Sequence, residues 1–282
     1  MTTIAIDIGG SNTRIGLFPA LDAADYMPVA KFPTQQDYHE ELRRVAEALQ
    51  SIDNAASSGV GVSVAARIAK NGRSVVAAPN LPGYVDQPFA RDLSARLHVP
   101  ARLAHDTVCG LLAEKTFGSL HDSERCAYLT VSTGTGAAIQ LAKGAITLTS
   151  SIEIGHQILD GNQRECLCGQ VGCLETYTGG RQITLREGRA PNEIADAAFW
   201  DIFCDKLAQG LVNLAMLTRI DAVAASGAIV LNRPQLLEQL QQKINQLDLW
   251  SPLALLSARL GEDAPLVGAA LLTETPEDTI LH

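Results

Sequence analysis

Neither a long apolar run nor a cluster of basic side chains occurs in this sequence. No stretch reaches the roughly 18 apolar residues that a membrane helix needs. Met1-Thr2-Thr3-Ile4-Ala5-Ile6-Asp7 shows no basic segment leading into an apolar one, so a leader is not expected and a cytoplasmic location is. Lys and Arg number 22 against 31 Asp and Glu, a net charge of -9. An acidic chain without a basic patch is poorly suited to neutralise a phosphate backbone, which argues against a nucleic-acid partner and favours small-molecule chemistry. Low-complexity linkers are absent as well, so a domain boundary is expected as a hinge inside the core, near Leu103 to Thr107. Cysteine is scarce, with six in 282 residues, which fits a reducing compartment better than a disulfide scaffold. Cys109, Cys126 and Cys204 lie in apolar surroundings and read as small core residues.

The other three cysteines are concentrated. His156 is followed closely by Cys166, Cys168 and Cys173, and Gly169 and Gly172 let the backbone between the thiols fold back on itself. One imidazole and three thiolates form the closed ligand set of a structural zinc ion, with no open position for a catalytic water. Buried reduced thiols or a disulfide are the alternative, and the density of ligand types favours zinc. Such an ion would hold a loop, and with it Glu153 and Glu175, which stand just outside the ligands. Carboxylates fixed near each other suit a polyhydroxylated substrate.

Two stretches share one device. Thr3 to Ile8 and Thr13 to Phe18 are apolar runs around Gly9-Gly10-Ser11-Asn12, which predicts a hairpin. Its tip offers glycine amides, small hydroxyls and Asp7, a set that suits a phosphate and a magnesium ion. A purely structural turn between strands accounts for the glycines too, and the Gly-Lys-Ser/Thr of a P-loop is missing. Ala127 to Val131, then Ser132-Thr133-Gly134-Thr135-Gly136, then Ala137 to Leu141 repeat the pattern. The repeat predicts two related lobes facing one cleft, each presenting a turn to the same nucleotide.

Elsewhere helical and extended patterns alternate. Leu42, Val45, Ala46 and Leu49 place a helix over 37–50, Val60 to Val64 and Ser74 to Ala78 read as strands, and Pro79-Asn80-Leu81-Pro82-Gly83 as a rigid loop. Further helices are expected over Phe89 to Leu97, Ala195 to Leu217, Pro234 to Gln246 and Pro265 to Leu272, and short strands over Ala101 to Ala104 and Ala222 to Ala225. This alternation indicates an α/β fold. Asp106, between a strand and the helix from Thr107, reads either as an N-cap or as a general base at the ligand-binding end of a sheet.

Taken in order, Asp7-Ile8-Gly9-Gly10, Pro79-Asn80-Leu81, Asp106, Thr133-Gly134-Thr135-Gly136, Glu153-Ile154-Gly155-His156 and Cys166-x-Cys168-Gly169-x-x-Gly172-Cys173-x-Glu175 resemble the ROK family of bacterial sugar kinases and repressors over nearly the whole chain. The resemblance implies a two-lobed, actin-like, ribonuclease H-like α/β fold with a zinc-binding loop. It implies an N-terminal lobe over 1–105, completed by 265–282, and a larger lobe over 106–264. The implied reaction moves the γ-phosphoryl group of ATP, held with magnesium, to a hexose hydroxyl, usually O6. By position Asp106 is the implied general base, and Asn80, His105, Glu153, His156 and Glu175 the implied sugar ligands. Asp7, Gly9, Gly10 and Asn12, with Thr133, Gly134 and Gly136, would surround the phosphates and magnesium, and Gly227 the nucleoside. His156, Cys166, Cys168 and Cys173 are the implied zinc ligands, Asp7 the implied magnesium ligand, and a homodimer the implied assembly.

Departures from the family pattern fall at His105, where Asn is usual, at Ala65-Ala66, where Pro-Gly is usual, and at Ser132 and Ala137, where glycine is usual. The first two lie on the sugar side and bear on which hexose is used. Glucose ranks first because Glu153, His156 and Glu175 form a full hexose set. An N-acetylhexosamine such as N-acetylmannosamine is second, and a non-catalytic sugar-binding regulator is the alternative of a different class. Because the sequence starts at its first strand, a DNA-binding domain ahead of it is not expected.

Overall fold

A computed structural model describes residues 2–50, 52, 57–247 and 252–282. They form two compact units, one of Met1–Phe117, Leu148–Ser150 and Asp263–His282, the other of Gly118–Thr147 and Ser151–Glu262. In chain order the first carries β1 (Thr2–Ile8), β2 (Asn12–Phe18), β3 (Met27–Pro33), α1 (Tyr38–Ala48), β4 (Ser57–Val64), β5 (Arg67–Ile68), β6 (Val75–Ala77), α2 (Phe89–Leu97), β7 (Ala101–His105) and α3 (Asp106–Phe117). There follow β8 (Arg125–Val131), β9 (Thr135–Lys143), β10 (Ile146–Ile152), α4 (Glu175–Thr178), α5 (Gly180–Glu187), α6 (Ala197–Thr218), β11 (Ala222–Ser226), α7 (Ala228–Leu231), α8 (Gln235–Gln246) and β12 (Ala254–Ser257). The chain closes with α9 (Ala264–Leu272) and β13 (Ile280–Leu281), both in the first unit.

One sheet, in the first unit, runs β3-β2-β1-β4-β7, and a second runs β12-β11-β8-β9-β10-β13. In each, a long antiparallel hairpin leads and strands parallel to its first member follow: β1 pairs antiparallel with β2 and parallel with β4, and β8 antiparallel with β9 and parallel with β11. The repeat in the sequence is therefore a repeat of topology. Strand β3 has no apolar alternation to announce it. It is an edge strand bounded by prolines, where a missing N–H costs no ladder bond.

Each unit has its own core. Ile4, Ile6, Val60 and Val62 of the first sheet pack with Leu42 and Val45 of α1 and with Leu93 of α2. In the second unit Leu129, Val131 and Val223 pack with Phe203, Leu207 and Leu211 of α6. Asp37 caps α1 by accepting the Glu40 N–H at 2.8 Å, and Asp196 caps α6 by accepting that of Ala198 at 2.9 Å.

Helix α9 lies directly on the backbone of its neighbours. A Cβ on Gly61 would stand 1.6 Å from the Ala269 carbonyl oxygen, and one on Gly268 would stand 1.7 Å from that of Cys109. Only hydrogen fits at either place. This packing keeps α3 with the first unit, whereas the sequence boundary between 105 and 106 falls at the junction of β7 and α3. Among the described residues no helix is long and apolar enough to cross a membrane.

Candidate functional site

In the first unit, the tip between β1 and β2 is closed by its own backbone and by Thr34 just after β3. Gly9 N–H donates to Asn12 O at 3.0 Å, and Thr34 Oγ1 donates to Gly9 O at 2.9 Å. A Cβ on Gly10 would stand 3.3 Å from Asn80 Cβ, so the tip and the Pro79-Asn80-Leu81 loop are neighbours. Asp7, at the end of β1, is buried and accepts from Arg14 Nη2 at 2.7 Å and from Ser63 Oγ at 2.8 Å. Burial raises its carboxyl above the usual range, Arg14 and Ser63 oppose that, and the negative charge of Asp106 adds to the rise. Arg14 in turn reaches Asp263 Oδ1 at 2.9 Å.

Asp106 is the first residue of α3, where the helix dipole favours an anion. Its Oδ1 is buried and has no hydrogen-bond partner among the described residues. His105 Nδ1 lies 2.8 Å from that oxygen, and accepts the backbone N–H of Thr107 at 3.2 Å. The Cys109 thiol, one turn further on, is pushed well up by burial, with Asp7 and Asp106 adding to the effect. It is a core thiol, as its apolar surroundings in the sequence imply.

The second unit builds its turn differently. Ser132 N–H donates to Gly134 O at 2.9 Å, but the turn is otherwise held from outside the hairpin. Gly180 N–H donates to Ser132 O at 2.8 Å and Arg181 N–H to Thr133 O at 2.9 Å, so the start of α5 is fastened to it. Glu175, first residue of α4, accepts the Thr135 N–H on Oε2 at 2.8 Å. Thr135 Oγ1 and Thr178 Oγ1 are 2.7 Å apart. A Cβ on Gly155 would stand 2.4 Å from Thr135 O, which places the turn Ile154–His156, and Glu153 before it, against the same strand. Thr133, Gly134, Gly136, Glu153, His156 and Glu175 thus come together around the start of β9.

His156 and the three cysteines converge. Their ligand atoms lie within 4.8 Å of one another. Cys168 Sγ and Cys173 Sγ are 3.7 Å apart, and Cys166 Sγ is 3.8 Å from His156 Nδ1. A tetrahedron with metal–sulfur bonds of about 2.3 Å has edges of about 3.8 Å, so the donor set fits zinc in both chemistry and spacing. All the cysteines among the described residues are free thiols, which removes the disulfide alternative. Burial works against ionising Cys168, but N–H groups of Gln170 hold it down to about 7, while burial pushes Cys173 up to about 12. Gln182, buried on α5, donates to Cys166 Sγ at 3.3 Å. The ion would close this loop and leave no coordination position for a reactant.

Beside the second turn lies a cavity of about 480 Å³, lined by Thr133, Arg181, Trp200, Ile229, Asn232 and Arg233 among others. Arg233 stacks over the Trp200 ring at 4.3 Å and donates to Ile194 O at 2.9 Å, which fixes the wall formed by Pro191 and Asn192. Gly227, just before the lining residue Ala228, has φ 92° and would place a Cβ 2.4 Å from Val131 O. The close approach of β11 to β8 therefore needs glycine there. Trp200, Asn232 and Arg233 carry no signal in the sequence, because they gather from α6 and the segment after α7.

The sequence profile of the ROK family matches residues 3–275. The N-acetylmannosamine kinase of Escherichia coli is 29% identical over 294 residues, covering 97% of this chain and 99% of that enzyme. The glucokinase of Thermotoga maritima is 28% identical over 191 residues, covering 66% of this chain and 60% of its own length. Xylose repressors match as well, over less than two thirds of their length. Among solved structures, the ROK hexokinase of Thermus thermophilus superposes with a TM-score of 0.77 at 25% identity, covering 96% of this chain and 97% of that one.

Proposed function

The chain belongs to the ROK family, whose members here include sugar kinases and repressors, and on that premise we propose that it is an ATP-dependent kinase transferring the γ-phosphoryl group to a hexose hydroxyl, O6. The observation that carries this reading is the second turn. Its backbone borders a cavity of about 480 Å³ walled by Trp200 and Ile229, a size and lining that suit a purine nucleoside with its phosphates at Thr133 to Gly136.

Asp106 takes the proton as the sugar O–H bond breaks, the oxygen bonds to the γ-phosphorus, and the bond to the β-phosphate oxygen breaks, releasing ADP. Phosphoryl transfer asks mainly for alignment and charge stabilisation, and a single positioned carboxylate is sufficient base. Asn80, His105, Glu153, His156 and Glu175 bind the sugar; Glu175, with Oε2 on Thr135, offers Oε1. His156, whose Nδ1 lies 3.8 Å from Cys166 Sγ, would hold the metal with one ring nitrogen and leave the other for a sugar hydroxyl. Asp7, Gly9, Gly10 and Asn12 would serve magnesium and the phosphates, and Gly227 would lie near the nucleoside. Zinc, when bound, has a structural role. The enzyme acts as a homodimer.

Glucose is the first reading of the substrate, on Glu153, His156 and Glu175. N-acetylmannosamine is the second, favoured by the E. coli kinase that aligns along 97% of this chain and by His105 and Ala66 on the sugar side. A coupled ADP-release assay with ATP, magnesium and glucose, N-acetylmannosamine, N-acetylglucosamine, fructose, mannose and allose tests both. One preferred sugar supports the kinase and names its substrate. Sugar binding without turnover across the panel would instead support a regulator.

A further inference from the structure

We propose that His105 is a proton switch on Asp106: neutral, its Nδ1 caps α3 and leaves the base free; protonated, Nδ1 turns from the cap to Asp106 and silences it.

One atom of His105 faces two neighbouring residues at once. Nδ1 of His105 lies 3.2 Å from the Thr107 backbone nitrogen, 2.8 Å from Thr107 Oγ1 and 2.8 Å from Asp106 Oδ1. A backbone N–H can only donate, so Nδ1 is its acceptor and the neutral ring carries its hydrogen on Nε2. His105 then does what an Asn does at an N-cap, with Nδ1 in the place of the amide oxygen. An Asn, however, cannot take up a proton in the physiological range. An imidazole can.

In the neutral state the second of these neighbours goes unserved. Asp106 Oδ1 is buried and has no hydrogen-bond partner among the described residues. A buried carboxylate oxygen left in that condition is a strong acceptor. When a solvent proton binds Nδ1, the ring can no longer accept the Thr107 N–H, and its new N–H has an acceptor within 2.8 Å. The cap is lost at the helix whose first residue is the base, and the base becomes half of an ion pair with weaker affinity for the sugar proton. Both effects act in one direction, so activity rises with pH as the imidazole loses its proton. Charged or titratable groups that Asp106 acts on include Asp7 on β1, paired with Arg14 of β2, and the Cys109 thiol within α3. Asp7 is committed to Arg14 and Ser63, so it does not compete for Nδ1.

This inference rests on Asp106 being the base, and its test separates the two. Turnover is followed between about pH 5.5 and 8.5, the range in which imidazoles titrate, for the intact protein and for His105→Asn, which caps without titrating. In the wild type kcat is expected to fall about tenfold per pH unit on the acid side, and in H105N that limb is expected to vanish or move by more than about one pH unit, whatever the variant's absolute rate. In parallel, ¹⁵N shifts of the His105 ring and of the Thr107 amide are followed by NMR in the wild type and in Asp106→Asn. Nδ1 should be unprotonated at high pH, the Thr107 amide should report loss of its bond as the ring protonates, and D106N should move the titration to lower pH. If no sugar is phosphorylated, the kinase reading falls while the NMR result still decides whether the two residues are coupled. A wild-type acid limb retained in H105N, a ring already protonated on Nδ1 at high pH, or a titration unmoved by D106N would each overturn the switch.

Discussion

The two strand–turn–strand devices look alike in sequence and are held in opposite ways. The tip between β1 and β2 is secured by contacts that include its own Gly9 to Asn12 bond, and its acid, Asp7, is fixed by Arg14 on the adjoining strand. The turn between β8 and β9 leans on residues some forty positions later: Glu175 holds Thr135, and Gly180 and Arg181 hold Ser132 and Thr133. Glu175 follows Cys173 closely, and Gln182 of α5 donates to Cys166. The first turn is thus held by its own hairpin and by Thr34 just after the adjoining strand β3, whereas the second depends as well on residues that follow the His156–Cys173 loop.

Substitutions can break or sharpen that contrast, and the largest effect is expected where chemistry rather than support is removed. Asp106→Asn should lower kcat by roughly 10²- to 10⁴-fold while sugar binding, measured by calorimetry, stays largely intact. Near-normal turnover would take Asp106 out of the mechanism. Next, Cys168→Ser should lose zinc by elemental analysis and weaken sugar affinity. It should also speed hydrogen exchange at the Thr135 amide by about tenfold or more, with the Gly9 amide unchanged. Equal acceleration at both amides would refute the division between a local and a metal-supported turn.

Gly268→Ala should destabilise the first unit by about 3 kcal/mol, because the new methyl meets the Cys109 carbonyl; urea unfolding followed by probes in each unit would detect it. Glu175→Gln keeps the shape but removes the charge from the bond to Thr135, so a cost of about 1 kcal/mol is expected, read as a several-fold rise in nucleotide Kd. Asp263→Asn should be the mildest. Its ion pair with Arg14 is half exposed, and a change in unfolding free energy below about 1 kcal/mol is expected.

Much of this arrangement was legible in the sequence because it is encoded over short distances. The hairpins, α1, α2, α6, α8 and α9 follow from apolar periodicity and turn residues, and the metal-binding cluster from ligand density around Gly169 and Gly172. Five strands have no such signal, and two of them, β5 and β13, are only two residues long. β3 lies on an edge, β10 is mostly polar with exposed Ile146 and Leu148, and β12 is a short run beside β11. The cavity beside Thr133 was hidden for a different reason: Trp200 and Arg233 meet only through tertiary packing, and no spacing rule links them. His105 was noticeable only as a departure from a family pattern. Its two competing contacts through Nδ1 required coordinates.

The position of α9 also carries a consequence for how the chain is made. Synthesis delivers the sheet strands of the first unit early, yet the helix that covers Gly61 and packs on Cys109 arrives only after residue 263. Until then that face of the nascent sheet has lost its lid, whereas the large middle segment already holds every residue of its own core. Ordered assembly on the ribosome is therefore expected to run from the middle outward, with the N-terminal part kept waiting, and truncation inside the last helix should expose a sheet rather than trim an end.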